Sequence, residues 1–320
     1  MDPITQGILG AATSEAVLFS YDKKRAWIVG GLSAMAPDLD ILIQSKTDPL
    51  LFLIYHRQFS HALSFIPIGA FIVAAILWLF KPFRSNWRLI FMASLIGYIT
   101  HAPLDILTSY GTVFFWPFSH QRLSLDIVSI VDPFFTFPLA IGLSWALIFN
   151  QRRGVLIGLL LAALFIAFNT IQHQRALHAI YRKSEKENSN IRKARAFPTL
   201  ASSTRWHGLY QTGEDNFVFV KIHTPLFQSV RIHRIGKFSA FHRQNLPSFV
   251  KNSPTLLRDF NIFNWFTDGY LIVAQKNPLH LVDGRYLMGQ NKPVALWGIL
   301  FNPNQAHIEK TRRIALEPIP

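Results

Sequence analysis

The sequence predicts an α-helical membrane bundle of about five to six helices, followed by a small soluble α+β domain with an antiparallel sheet. Three observations carry this expectation. Half of the 320 residues are hydrophobic and only 16% are charged, against about 25% in an average soluble domain. The long apolar runs are nearly all confined to residues 1–172. Residues 197–320 instead carry the short alternating segments of β-strands. The same figures exclude disorder, which is poor in apolar residues. With no Cys in the chain, a disulfide scaffold or a Cys-ligated zinc site is excluded too.

Six segments make up the membrane half, residues 1–172: Ile4–Phe19, Ala26–Ile43, His61–Phe80, Trp87–Ala102, Pro133–Phe149 and Gly154–Gln172. A helix crosses a bilayer with about 20 mostly apolar residues. The third and sixth segments reach that length, and the fourth and fifth approach it. The first contains Gly7, Gly10, Thr13, Ser14 and Glu15, and either spans or packs inside the bundle. Asp132-Pro133 is the expected cap of the fifth. Met1-Asp2-Pro3 lacks the basic stretch that opens a cleavable signal.

Charge orients the bundle. Lys23, Lys24, Arg25, Lys81, Arg84, Arg88, Arg152 and Arg153 fall on one side if every segment crosses. Lys46, Arg57 and Arg122 fall on the other. The positive-inside rule then places the first side in the cytoplasm of a multi-pass inner-membrane protein, with both termini and the soluble domain outside. A basic linker, residues 173–196, carries Arg175, Arg182, Lys183, Lys186, Arg192, Lys193 and Arg195 and argues for the opposite side. Long domains translocate largely regardless of charge, however.

In the soluble half, residues 197–320, strands are expected at Phe217–Ile222, Gln228–Ile232, Tyr270–Ala274 and Ala295–Ile299. A helix capped by Ser253 is expected over Pro254–Phe266. His223, His233, His242, His280 and His307 stand at no ligand spacing. The chain has no Gly-rich phosphate loop, no G-x-S-x-G and no nucleic-acid-reading framework, so no nucleic-acid partner is expected. Membrane lipids with anionic headgroups are the expected partner of its basic residues.

Ionisable residues at the ends of membrane helices are costly to place there and mark functional sites. Three groups converge on the outer face in this topology. They are Asp38 and Asp40 after Pro37, His56 and His61 around Arg57, and His101 with Asp105. Carboxylates and neutral imidazoles suit zinc and manganese, and this set has enough donors for one or two ions. His101 and Asp105 share a helical face if the helix runs through Pro103. Each group alone also has a structural reading, as a turn, a headgroup contact or a hydrogen-bonded pair. Ser60 reads as the N-cap of the third segment. Arg57 is placed to hold an anionic group of a substrate or to reach headgroups. Glu15 either joins the site or hydrogen-bonds within the bundle.

These motifs resemble the YdjM-like inner-membrane proteins, a family of predicted membrane-bound metal-dependent hydrolases. The resemblance rests on Met1-Asp2-Pro3-Ile4-Thr5-Gln6-Gly7, Pro37-Asp38-Leu39-Asp40, Tyr55-His56-Arg57-Gln58-Phe59-Ser60-His61 and Thr100-His101-Ala102-Pro103-Leu104-Asp105. It continues through Thr108-Ser109-Tyr110-Gly111-Thr112 and Phe115-Trp116-Pro117-Phe118. It implies a polytopic membrane protein with a metal-assisted hydrolytic site, whose His/Asp motif falls on Asp38, Asp40, His56, His61, His101 and Asp105. Shorter members carry His after the Thr of the opening motif. Gln6 stands there in this chain, which removes that ligand unless Asp2 or Glu15 takes its part.

The reading that joins these points is a hydrolase holding zinc or manganese, with Arg57 and Glu15 as further catalytic candidates. A membrane-derived ester or phosphoester, such as that of a lipid, is the expected substrate. A metal or ion transporter and a partner-binding scaffold are the alternatives. The transporter would want its polar residues at mid-membrane, whereas these stand at helix ends.

Overall fold

A computed structural model of the chain describes residues 1–21, 25–84, 86–289 and 292–319. Lys23 and Lys24, two of the orienting charges, lie outside the described residues. The chain forms two compact units. The first comprises residues 1–42, 55–171 and 200–202, and the second residues 43–54, 172–199 and 203–320.

The first unit is helical. Helix α1 is Pro3–Leu18 and α2 is Ala26–Met35, which tightens into a 3₁₀ stretch at Ala36–Leu42. A short α3 at Leu51–Tyr55 and 3₁₀ turns at Phe59–His61 and Leu63–Phe65 lead into α4, Ile66–Trp78. Then come α5 (Trp87–Ile106), α6 (Pro133–Phe149) and α7 (Arg153–Lys186). Side-chain caps start three of them. Asp2 accepts from Thr5 N, Asn86 from Leu89 N and Asp132 from Phe134 N. Ser60 is not a cap, since α4 begins six residues after it at Ile66 and the Ser60 hydroxyl is committed to Asp40.

Helices α5 and α7 are each long and apolar enough to cross a membrane. Leu51–His61 with Leu63–Trp78, bent by 57° at the break between them, would together make a third span. The individual helices α1, with 16 residues, and α2, with 10, are shorter than the six-crossing expectation needs. Close packing binds α1, α2 and α5. A Cβ built on Gly97 would stand 2.1 Å from the Gly30 carbonyl oxygen, so the backbones touch as small residues allow in membrane bundles.

Residues 173–196, expected as a linker, are not one. Helix α7 runs through to Lys186, and the first strand, β1 (Ile191–Pro198), begins four residues after Glu187. The cause is amphipathicity past the apolar stretch. Ala176 and Ile180, four apart, are fully buried against Trp206, Tyr210 and Val220, while Arg182 and Lys186 face water.

In the second unit β1 forms an antiparallel meander with β2 (Arg205–Thr212), β3 (Asn216–His223) and β4 (Arg231–Ser239). Gln228–Val230, expected at the start of β4, precede it. After α8 (Ser248–Lys251) and α9 (Pro254–Phe266), a second antiparallel sheet is built from β5 (Leu271–Gln275), β6 (His280–Asp283), β7 (Leu287–Met288), β8 (Val294–Leu300) and β9 (Glu309–Ala315). Its order is β5-β6-β8-β7, with β9 also on β8. Helix α7 covers one face of the first sheet. The other face packs Phe217, Phe219 and Phe238 against Ile272, Val282 and Ala295 of the second sheet. Ser253 caps α9 as expected, and Phe263 and Phe266 of α9 meet Trp297 of β8 edge-on.

Candidate metal centre

Helix α5 continues through Pro103, so His101 and Asp105 share one face, with Nε2 and Oδ2 3.5 Å apart. The 3₁₀ turn after Gln58 carries His61 to the same place, and the 3₁₀ stretch after α2 brings Asp38. The Nε2 atoms of His61 and His101 lie 2.9 Å apart. Asp38 Oδ1 is 3.5 Å from each, and Asp105 Oδ2 is 3.3 Å from His61 Nε2. Bonds of about 2.0–2.1 Å to a tetrahedral zinc imply donor–donor separations of about 3.3–3.4 Å. The four donor atoms therefore have the spacing of one coordination sphere.

The protonation of the two rings sharpens this. His101 Nδ1 faces the Ala34 carbonyl oxygen, an acceptor only, so that nitrogen carries a hydrogen. The Ser60 hydroxyl donates to Asp40 Oδ2 at 2.7 Å and so accepts from His61 Nδ1 at 2.9 Å. If both rings are neutral, each turns the lone pair of Nε2 toward the other. Asp105 Oδ2 faces Arg57 Nε at 3.0 Å and accepts no further hydrogen bond, and the buried Gln6 Oε1 accepts none. Two imidazole Nε2 atoms with the Asp38 and Asp105 carboxylate oxygens beside them are a donor set a divalent cation satisfies. The residues present fit a metal.

The neighbouring side chains hold these donors. Asp40 is 5% exposed and uses both oxygens. Oδ1 meets His56 Nδ1 at 2.7 Å, while Oδ2 accepts from Ser60 and from Arg57 N at 2.9 Å. Asp40 thus orients His61 through Ser60, and also directly, at 3.3 Å. Asp38, Asp40 and His56 form a second group of possible ligands, one whose central carboxylate is already hydrogen-bonded. Arg57 is buried, with a left-handed backbone (φ 62°). This conformation is uncommon without glycine. It lets the amide reach Asp40 while the guanidinium pairs with Asp105 Oδ2 at 3.0 Å, bonds Thr108 Oγ1 and lies over the Tyr110 ring. In this structure Arg57 contacts the ligand carboxylates themselves.

Gln6 is a contributor the sequence did not single out by chemistry. Its Nε2 donates to Asp105 Oδ1 at 3.0 Å and to the His101 carbonyl, and the Met1 amino group also meets Asp105 Oδ1. The signal was positional, because Gln6 lies in the opening motif that carries the family resemblance. Glu15 is not among the grouped donors. It is buried nine residues beyond Gln6, about 14 Å further along α1 at a rise of 1.5 Å per residue. Of the four main donors only Asp38 has an exposed side chain, at 18%, so the centre is reached beside Asp38. In the second unit Asp48, Asp259 and His307 also converge. Arg258 already pairs with both carboxylates there, at 2.6 and 3.5 Å.

A bundle of apolar helices around a buried His/Asp donor set defines a membrane protein with a candidate metal centre. Residues 1–176, more than half of the chain, match the YdjM inner membrane protein family, and the chain belongs to that family. It is also 30% identical over 101 residues to the uncharacterized protein YfhP of Bacillus subtilis (strain 168). That match covers 32% of this chain and 30% of that protein's length. No solved structure matches the chain.

Proposed function

We propose that the chain is a metal-dependent hydrolase of the cytoplasmic membrane, acting on an ester or phosphoester that reaches the centre from the membrane. The observation that carries this reading is the facing pair of Nε2 atoms, each with its Nδ1 hydrogen committed elsewhere. Asp38, His61, His101 and Asp105 would hold one zinc or manganese ion. A second ion would use Asp38, Asp40 and His56, in exchange for hydrogen bonds Asp40 now accepts. Such an ion supplies a Lewis acid that polarises the scissile bond and lowers the pKa of water.

The chain's own residues divide the remaining tasks. Asp38 admits the substrate at its exposed edge. Where no second ion is held, His56, oriented by Asp40 and 13% exposed, moves a proton at the mouth. Arg57 acts through Asp105, whose charge and direction it sets. Exposed Leu39 and Leu42 beside Asp38 favour an apolar substrate such as a lipid.

Metal analysis of detergent-purified protein is expected to give at least one zinc or manganese per chain, falling to near zero in His61→Ala and Asp105→Ala. A phosphoesterase and esterase panel run on the same samples should lose activity in parallel. Metal-free wild-type protein would mean a proton shared between His61 and His101, and the reading would fail. The distribution of basic residues supports an outer position for the second unit if every segment crosses. A C-terminal alkaline phosphatase fusion should accordingly be active, and an inactive one would move that unit to the cytoplasm.

A further inference from the structure

The loop between β3 and β4 exposes two large apolar side chains with no role in the core. Phe227 is 96% exposed and Leu226 55% exposed. Their position along α7 is set by hydrogen bonds on either side of them. Gln172 Nε2 donates to the Thr224 carbonyl at 3.1 Å, and Arg175 Nη2 donates to the Gln228 carbonyl at 3.1 Å. Gln172 is also where the apolar part of α7 ends. Leu156, Leu160, Leu164 and Ile171 present an exposed apolar face up to that point. From Gly154 to Ile171 this face is about 27 Å long at 1.5 Å per residue, close to the roughly 30 Å of a bilayer's hydrocarbon core. Leu226 and Phe227 are therefore held level with the end of this apolar stretch, where amphipathic anchors act.

Cations surround that tip. Arg175 and Arg231 both hold Gln228, Arg231 through the side-chain oxygen at 2.8 Å. Neither pairs with an acid among the described residues. Beyond them lies a groove of about 650 Å³ between α7 and the start of β4, lined by His178, Arg182, Lys183 and Lys186. Glu187 is the one acid on its wall, and Lys183 neutralises it at 2.7 Å. An apolar tip flanked by unneutralised guanidinium groups at the hydrocarbon boundary matches the two parts of an anionic phospholipid, acyl chains below and phosphate above.

We propose that the β3–β4 loop inserts Leu226 and Phe227 into the bilayer and that Arg175, Arg231 and the basic groove bind the phosphates of anionic phospholipids. The occupant is a lipid of the membrane the chain crosses, independent of any hydrolytic substrate.

The absence of native Cys makes the test clean. Phe227→Cys in the full chain, labelled with a fluorophore and reconstituted in vesicles, should be quenched by brominated phosphatidylcholine and shielded from aqueous iodide. A label at Gln305→Cys, an exposed position, should behave in the opposite way. Equal iodide quenching at both positions would overturn the insertion. For the headgroups, native mass spectrometry of protein exposed to equal phosphatidylglycerol and phosphatidylcholine should show preferential retention of phosphatidylglycerol. Each basic residue near an anionic surface contributes about a fivefold preference. Arg182→Gln with Arg231→Gln should therefore reduce the preference by about thirtyfold. Parity of the two lipids on the wild-type chain, or displacement of phosphatidylglycerol by inorganic phosphate, would overturn the lipid assignment.

Discussion

At the scale of single residues, the centre depends on carboxylates that do different things. Asp38 and Asp105 point donors inward, while Asp40 spends its oxygens on Ser60, Arg57 N, His61 and His56. Asp40→Asn keeps the shape and replaces two acceptor sites by an amide that cannot satisfy the same donors. Groups that orient a metal-binding imidazole typically hold 10–100-fold in affinity. Asp40→Asn should weaken zinc binding by about that factor, measured by competition with a chromophoric chelator. Unchanged affinity would make Asp40 a bystander. The His/Asp donors were legible from sequence because ionisable groups beside apolar helices are rare and costly. The roles of Arg57 and Gln6 were not, because their partner is Asp105, 99 residues from Gln6, and no local pattern encodes such a pairing. Ser60 misled for a related reason. A hydroxyl before an apolar run reads as a cap, but here a carboxylate distant in sequence competes for it.

At the scale of elements, α5 is the rigid part that presents His101 and Asp105, and its seat against α2 has no spare room. Gly97, one turn before His101, contacts the Gly30 carbonyl so closely that a methyl group cannot fit without moving a backbone. Gly97→Ala should destabilise the bundle by about 1–3 kcal/mol through overpacking and carry His101 out of line with His61. The readouts are a lower melting temperature together with reduced metal content, and a variant with both intact would show that α5 can shift freely. Caps and hydrophobic period made most helices readable, α9 to the residue. Helix α7 was cut short at Gln172 because its second half exchanges an all-round apolar surface for a single buried stripe, Ala176 and Ile180. A change of period inside one helix looks like a boundary. Strands β1, β2, β6, β7 and β9 escaped notice because they are charged, broken by glycine or very short.

At the scale of the whole molecule, the stability of the second unit depends on pH. Burial pushes the His207 imidazole down to about 4, and Lys221, opposite it on β3, adds to the shift. Folding favours the neutral ring, so the stability that depends on it is complete above the ordinary pKa of about 6.5. It is lost as pH falls from there toward 4, by roughly 3 kcal/mol. Thermal unfolding of the full chain, followed by the β-sheet signal, should shift downward over that interval. His207→Gln should flatten the profile, and a parallel decline in the variant would assign the effect to other groups.

The strap formed by residues 43–54 bears on how the molecule is made. It belongs to the second unit, yet the chain on its two sides supplies Asp38 and Asp40 before it and His56 and His61 after it. Its Asp48 pairs with Arg258 at 2.6 Å, 210 residues later in the chain. A ribosome has therefore finished every membrane helix long before it makes the anchor for this strap. The helices can enter the bilayer early, but the stretch joining two pairs of ligands finds its native anchor only once Arg258 has been made. Chains that stop before Arg258 should accumulate as inserted bundles with an unfastened strap.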